Sequence, residues 1–167
     1  MIKRREFLIF GSLLGLGSCV HAKESSSFDA EFKKVEATIA TVQEHMFPRG
    51  SKLPSAKEMK AVQFLYETIS HKSYDRDIRA FVIEGAQELI KREKGNFLSM
   101  SDKEREEALR AYEETGYGSA WLERIMTLTM EGLFSAPVYG SNIQEAGWRA
   151  VGSYGGYPRP KTRYLEL

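Results

Sequence analysis

A chain of 167 residues, 42% hydrophobic and 28% charged, has the length and balance of one globular domain around one core. Its net charge of +1, with no basic block beyond the first residues, leaves no electrostatic footprint for nucleic acid. The single Cys excludes an intramolecular disulfide and a cysteine-rich metal site, and His21, His45 and His71 form no HxxxH pair that would suit a metal.

The chain opens MIKRREFLIFGSLLGLGSCVHAKESSS. A basic start (Lys3, Arg4, Arg5) precedes an apolar stretch from Phe7 to about Gly17, too short to span a bilayer comfortably, so residues 1–22 read as an export signal. Arg4-Arg5 followed by Phe7-Leu8 has the form of a twin-arginine signal, which routes folded proteins through the twin-arginine translocase. An ordinary secretory signal with paired arginines is the alternative. Leu16-Gly17-Ser18-Cys19 has lipobox form, with cleavage before Cys19 and lipid on its sulfur, whereas Val20-His21-Ala22 fits cleavage after Ala22. Both readings stay open, and either starts the mature body near Lys23. Residues 23–167 then hold 21 bases and 22 acids, a nearly neutral single domain.

From Phe28, apolar residues recur at helical spacing (Phe32, Val35, Ile39, Val42, Met46), with Ser27 or Asp29 available as cap and Phe47-Pro48 as the stop. His45 falls in the last turn, where an imidazolium would meet the helix's negative end; that role fits it better than catalysis. Ser55 and Glu58 form an S-x-x-E capping box and predict a second helix from Ala56, with Met59, Val62, Phe64, Leu65, Tyr66 and Ile69 as its apolar face. A third helix is expected from Asp75 to Gly95, with Ile78, Phe81, Val82, Gly85, Leu89 and Ile90 inward. Gly85 in mid-helix costs about 1 kcal/mol against Ala, which suggests that it permits close helix packing. Ser101 and Glu104 form another capping box for a fourth helix, and Ser119 is expected to cap a fifth carrying Trp121, Leu122, Ile125, Met126, Leu128, Thr129 and Leu133.

Leu133 to Pro160 fits neither helix nor strand. Gly140, Gly147, Gly152, Gly155, Gly156, Pro137, Pro158 and Pro160 break any period, yet Phe134, Tyr139, Trp148, Tyr154 and Tyr157 have large faces to bury. Residues 133–167 therefore read as an ordered, irregular arm lying on this chain's own body or on a partner. The fold class is all-α: about five helices and a Gly/aromatic-rich C-terminal arm.

The chain carries no dinucleotide fingerprint in a strand–helix context, P-loop, G-x-S-x-G elbow, H-E-x-x-H or haem-attachment sequence. The acidic run Asp102, Glu104, Glu106, Glu107, Glu113, Glu114, interleaved with Lys103, Arg105 and Arg110, reads as a solvated helix face. No catalytic residue, bound cofactor or metal is expected in this chain.

Taken together, KRREFL, the HMFP turn with LPSA, GNFLSMSDKEREEAL and the run LFSAPVYGSNIQEAGWRAVGSYGGYPRP resemble the small subunit, subunit 3, of gluconate 2-dehydrogenase and related membrane-associated flavin dehydrogenases. Pro137, Tyr139, Gly140, Asn142, Gly147, Trp148, Gly155 and Pro158 match that family's C-terminal signature. Ser141 stands where a second glycine is common, and Ala136 where an acidic residue is. The resemblance implies an accessory subunit whose partner, a large flavoprotein, holds FAD and the substrate site and passes electrons to a cytochrome c subunit or a membrane quinone. It implies that the twin-arginine signal carries both subunits out, to a membrane-associated place in the periplasm, through the complex or a Cys19 lipid. It also makes the arm an interface element, with Pro137, Tyr139, Asn142, Trp148, Tyr154 and Tyr157 as candidate contacts; the alternative is that Trp148 plugs this domain's own core. A free-standing periplasmic lipoprotein or envelope scaffold is the competing function, and an enzyme in its own right a third.

Overall fold

The computed structural model describes residues 17–163, with side chains from Ser27 onward. Arg4, Arg5, Phe7 and Leu8 lie outside the described residues, as does the Cys19 side chain. Six α-helices and no strand occur among the described residues: α1 (Gly17–Met46), α2 (Ala61–Ser70), α3 (Arg76–Arg92), α4 (Asp102–Glu113), α5 (Gly116–Phe134) and the short α6 (Ala146–Ala150). The all-α expectation holds, with α6 a brief helical turn inside the arm.

In α1 the apolar stripe faces inward as its spacing requires: Phe28, Phe32, Val35, Ile39 and Val42 are buried and Met46 packs at the margin. The helix begins earlier than the expected cap. Residues 18–27 contain no Gly or Pro to break the ladder, so it runs back to Gly17, and Asp29 instead accepts a hydrogen bond from the Tyr66 hydroxyl (2.8 Å).

The second helix starts later than its capping box predicts. Ser55 Oγ does accept from the Glu58 amide (3.1 Å), but what it opens is only a turn over residues 56–60. Lys60 adopts a left-handed conformation (φ 55°), and the Ala61→Ala56 and Lys60→Lys57 backbone bonds close a Schellman motif. α2 restarts at once from Ala61. The break leaves Ala56, Met59 and Ala61 in a small second core with Leu133, distinct from the main cluster. At the other end of α2, Arg79 of α3 donates to the Ile69 and His71 carbonyls (2.7 and 2.8 Å), placing a cation where the helix dipole is negative.

α3 is capped by Asp75, whose carboxylate accepts from the Asp77 and Ile78 amides. Gly85 has the predicted role: the Trp121 indole lies against its backbone, where a Cβ would come under 3.0 Å from the ring. The ring is fully buried and its Nε1–H donates to the Val82 carbonyl (2.9 Å), while the Tyr112 hydroxyl donates to the Gly85 carbonyl (3.0 Å). Three helices are thereby locked at one point. The box at Ser101 and Glu104 forms with both halves present. The cap of α5 is Thr115 rather than Ser119: its Oγ1 accepts from Gly118 N (2.9 Å), and the helix begins one turn sooner. α5 packs against α1, α2, α3 and α4 and forms the centre of the main core. Between α1 and α5, Gln43 Nε2 donates to Thr129 Oγ1 (3.0 Å) inside that core.

Candidate partner interface

After α5 the chain reverses through 3-10 turns at Pro137–Tyr139 and Ile143–Glu145 before α6. Gly140 (φ 83°) supplies the left-handed step that ends the first turn. Asn142, Gln144 and Glu145 are also left-handed, at φ 48°, 54° and 60°. Non-glycine residues hold that conformation only where their surroundings enforce it. Here Asn142 does so with its own side chain, donating to the Ser135 carbonyl (2.8 Å) and accepting from the Gly147 amide (2.8 Å). Ser141, fully buried, donates to the Met59 carbonyl (2.6 Å) and ties the arm to the break before α2. Trp148 is buried and donates from Nε1 to the Phe134 carbonyl (2.8 Å). Gly147 lets α6 lie directly on the Leu133 carbonyl, where a Cβ has no room. At the far end, Arg163 bonds the Val138 carbonyl (3.0 Å) and the Glu67 carboxylate (2.6 Å).

The proposed contact residues therefore divide. Asn142 and Trp148 are turned into the chain's own fold, and Pro137 and Tyr139 sit half-buried in the first turn. Tyr154 and Tyr157 project into solvent, 68% and 77% exposed, stacked on one another at 6.1 Å. Arg159 lies between Trp148 and Tyr157, 4.5 Å from each ring centre, and pairs with Glu145 (3.1 Å). Ser141, Arg159 and Arg163 escaped sequence reading; the departure of Ser141 from the resembled signature was the one available signal.

Elsewhere the charged groups form surface clamps. His45, in the last turn of α1, meets Glu106 of α4 (2.7 Å), and Arg110 holds both Glu106 and Glu113. The hydrogen bond from His45, then that from Arg110, keeps the Glu106 carboxyl below the usual carboxylate range. Arg105 pairs with Asp102, and the acidic run is a solvated helix face as its spacing suggests. A groove of about 950 Å³ runs along α1 past Ala37, Ala40 and Thr41 to Lys57 and Lys60, with charges of both signs on its rim. Among the described residues no three His, Cys, Asp or Glu side chains converge on a point that would hold a metal, and no helix is long and apolar enough to cross a membrane.

Comparison with protein families matches residues 33–156 to the family described as gluconate 2-dehydrogenase subunit 3. That span reaches from the first turns of α1's buried stripe to Gly156 in the arm. Comparison with curated proteins and with solved structures finds no match.

Proposed function

The chain belongs to the gluconate 2-dehydrogenase subunit 3 family, and from that membership we propose that it is the small, non-catalytic subunit of a flavin-dependent sugar or sugar-acid dehydrogenase, serving as export escort and structural partner of a large flavoprotein. The family is that of a dehydrogenase accessory subunit, and membership implies a multi-subunit complex. The observation that carries the proposal is the family match across nearly the whole helical body and into the arm. In this reading FAD and the substrate site reside in the large subunit, and a cytochrome c subunit or a membrane quinone takes the electrons. Residues 1–22 act as a twin-arginine signal for the folded pair, and the complex works in the periplasm, membrane-associated through its other subunits or a lipid on Cys19.

Replacement of Arg4 and Arg5 by Lys tests the escort role. Both this chain and the large flavoprotein should remain in the cytoplasm, as followed by fractionation and immunoblot. Normal export of the flavoprotein in that double variant would contradict the escort role. A free-standing envelope protein is the second reading, favoured by the way Asn142 and Trp148 satisfy themselves within the chain. It predicts export of this chain with no dependent passenger.

A further inference from the structure

We infer that Tyr154 and Tyr157, flanked in sequence by Arg149 and Lys161, are the face on which the large flavoprotein subunit docks, and that the docking surface of that subunit is rimmed with carboxylates. This rests on the subunit reading above.

The arm has two halves with opposite character. Ser141, Asn142 and Trp148 spend their hydrogen bonds and ring surface inward, on Met59, Ser135 and Phe134. From Val151 to Gly156 every residue is exposed, yet the backbone is tied to α6, the Gly152 amide donating to the Arg149 carbonyl (3.1 Å) and the Ser153 amide to the Trp148 carbonyl (2.8 Å). Gly155 passes so close to Trp148 that a Cβ would lie 2.5 Å from the indole. Arg159, gripped by Glu145, fills the space between the Trp148 and Tyr157 rings. Tyr154 then stacks on Tyr157 with their planes 15° apart. The series Trp148, Arg159, Tyr157, Tyr154 runs from the buried underside of the arm to solvent, so the outer rings are held in place before any partner arrives. Preorganised aromatics lose little freedom on binding, and tyrosine is among the residues that anchor interfaces.

Charge identifies the partner's chemistry. Residues 146–167 carry four bases and one acid, whereas residues 23–145 carry 17 bases and 21 acids. Arg159 and Arg163 are neutralised by Glu145 and Glu67. Arg149, which donates to the Gln144 carbonyl, and Lys161 have no carboxylate partner among the described residues. Two cations without a carboxylate partner among the described residues, one on either side of the paired tyrosines in the sequence, suit an acidic protein surface. An anionic membrane is usually held by a larger cluster of about four to eight basic residues. A second copy of the same face would meet like charge.

The test uses the complex isolated through this chain, comparing wild type with Y154S/Y157S and with R149E/K161E. Flavin absorbance per mole of small chain reports the retained partner. Each double variant should hold its partner about tenfold more weakly or worse, and the wild-type affinity should fall as salt is raised. Thermal melting of the isolated variants should match wild type, because the altered side chains are exposed. Full-strength capture by both double variants, alongside capture by wild type, would overturn this face while leaving the subunit reading intact. Binding of the wild-type chain to phosphatidylglycerol vesicles, lost in both variants while flavoprotein capture persists, would reassign the face to a membrane. A wild-type chain that captures no second subunit would sink the subunit reading and this face with it.

Discussion

Gly85→Ala is the most exacting test of how the bundle is locked. Ala is the better helix former by about 1 kcal/mol, so propensity alone predicts a stabilised protein. The structure predicts the opposite. The added methyl would occupy space now held by the five-membered edge of the Trp121 ring, whose Cδ1, Cγ and Nε1 are its nearest neighbours. Trp121 is fully buried and bonded to the Val82 carbonyl, and Tyr112 is bonded to the carbonyl of Gly85 itself. Moving the indole forces overpacking, at about 1–3 kcal/mol, and strands a buried N–H, at about 1–3 kcal/mol more. After the propensity gain, a net loss of about 2–4 kcal/mol remains, since the two penalties partly share one relaxation. For a domain of this length that corresponds to a fall in melting temperature of about 5–15 °C. Calorimetry or urea denaturation reads it directly. An unchanged or raised stability would refute the contact between Trp121 and the α3 backbone.

Other substitutions probe separate parts of the account. Ser101→Ala removes one half of the capping box of α4 and should cost about 1 kcal/mol in a urea titration. Gly147→Ala pushes a methyl into the Leu133 carbonyl and should release the arm, raising protease cleavage within residues 135–156 by about tenfold while the melting of the bundle changes little. Glu106 has a depressed carboxyl pKa, so its contribution is complete above the ordinary carboxylate range and disappears as pH falls through the lowered folded value. Glu106→Gln should therefore melt below wild type at neutral pH, with the difference vanishing in acid; a pH-independent difference would show that the clamp with His45 and Arg110 is not the cause.

The helical body was legible because its signals are local. The stripe from Phe28 to Val42, the start of the third helix at about Asp75 and the box at Ser101 depend on residues within a few positions of one another, and all three form. Gly85 could be read too, because a glycine that weakens a helix interior calls for a packing reason. The failures share one cause, which is that tertiary contacts chose between local options. Ser119 was the expected cap of α5, and Thr115, one turn earlier, takes that place where Gly118 fits against the Tyr112 carbonyl. Lysine carries no signature for the left-handed conformation that Lys60 adopts, so the break before α2 had no visible mark. In the arm, composition announced ordered turns without saying which aromatics point inward. That was settled by carbonyls distant in sequence from the side chains they hold, such as that of Phe134 for Trp148 and that of Met59 for Ser141. The exposed pair Tyr154 and Tyr157 is the remainder, and a sequence does not distinguish a ring that is left over from one that is buried.

The central claim, that this chain is one subunit of a flavin dehydrogenase complex, is tested most directly by purifying it gently from its native envelope, identifying what accompanies it by mass spectrometry and recording the flavin spectrum. The account predicts a stoichiometric large partner with bound flavin and dehydrogenase activity in the pair. A lone, colourless chain recovered under the same conditions would contradict it.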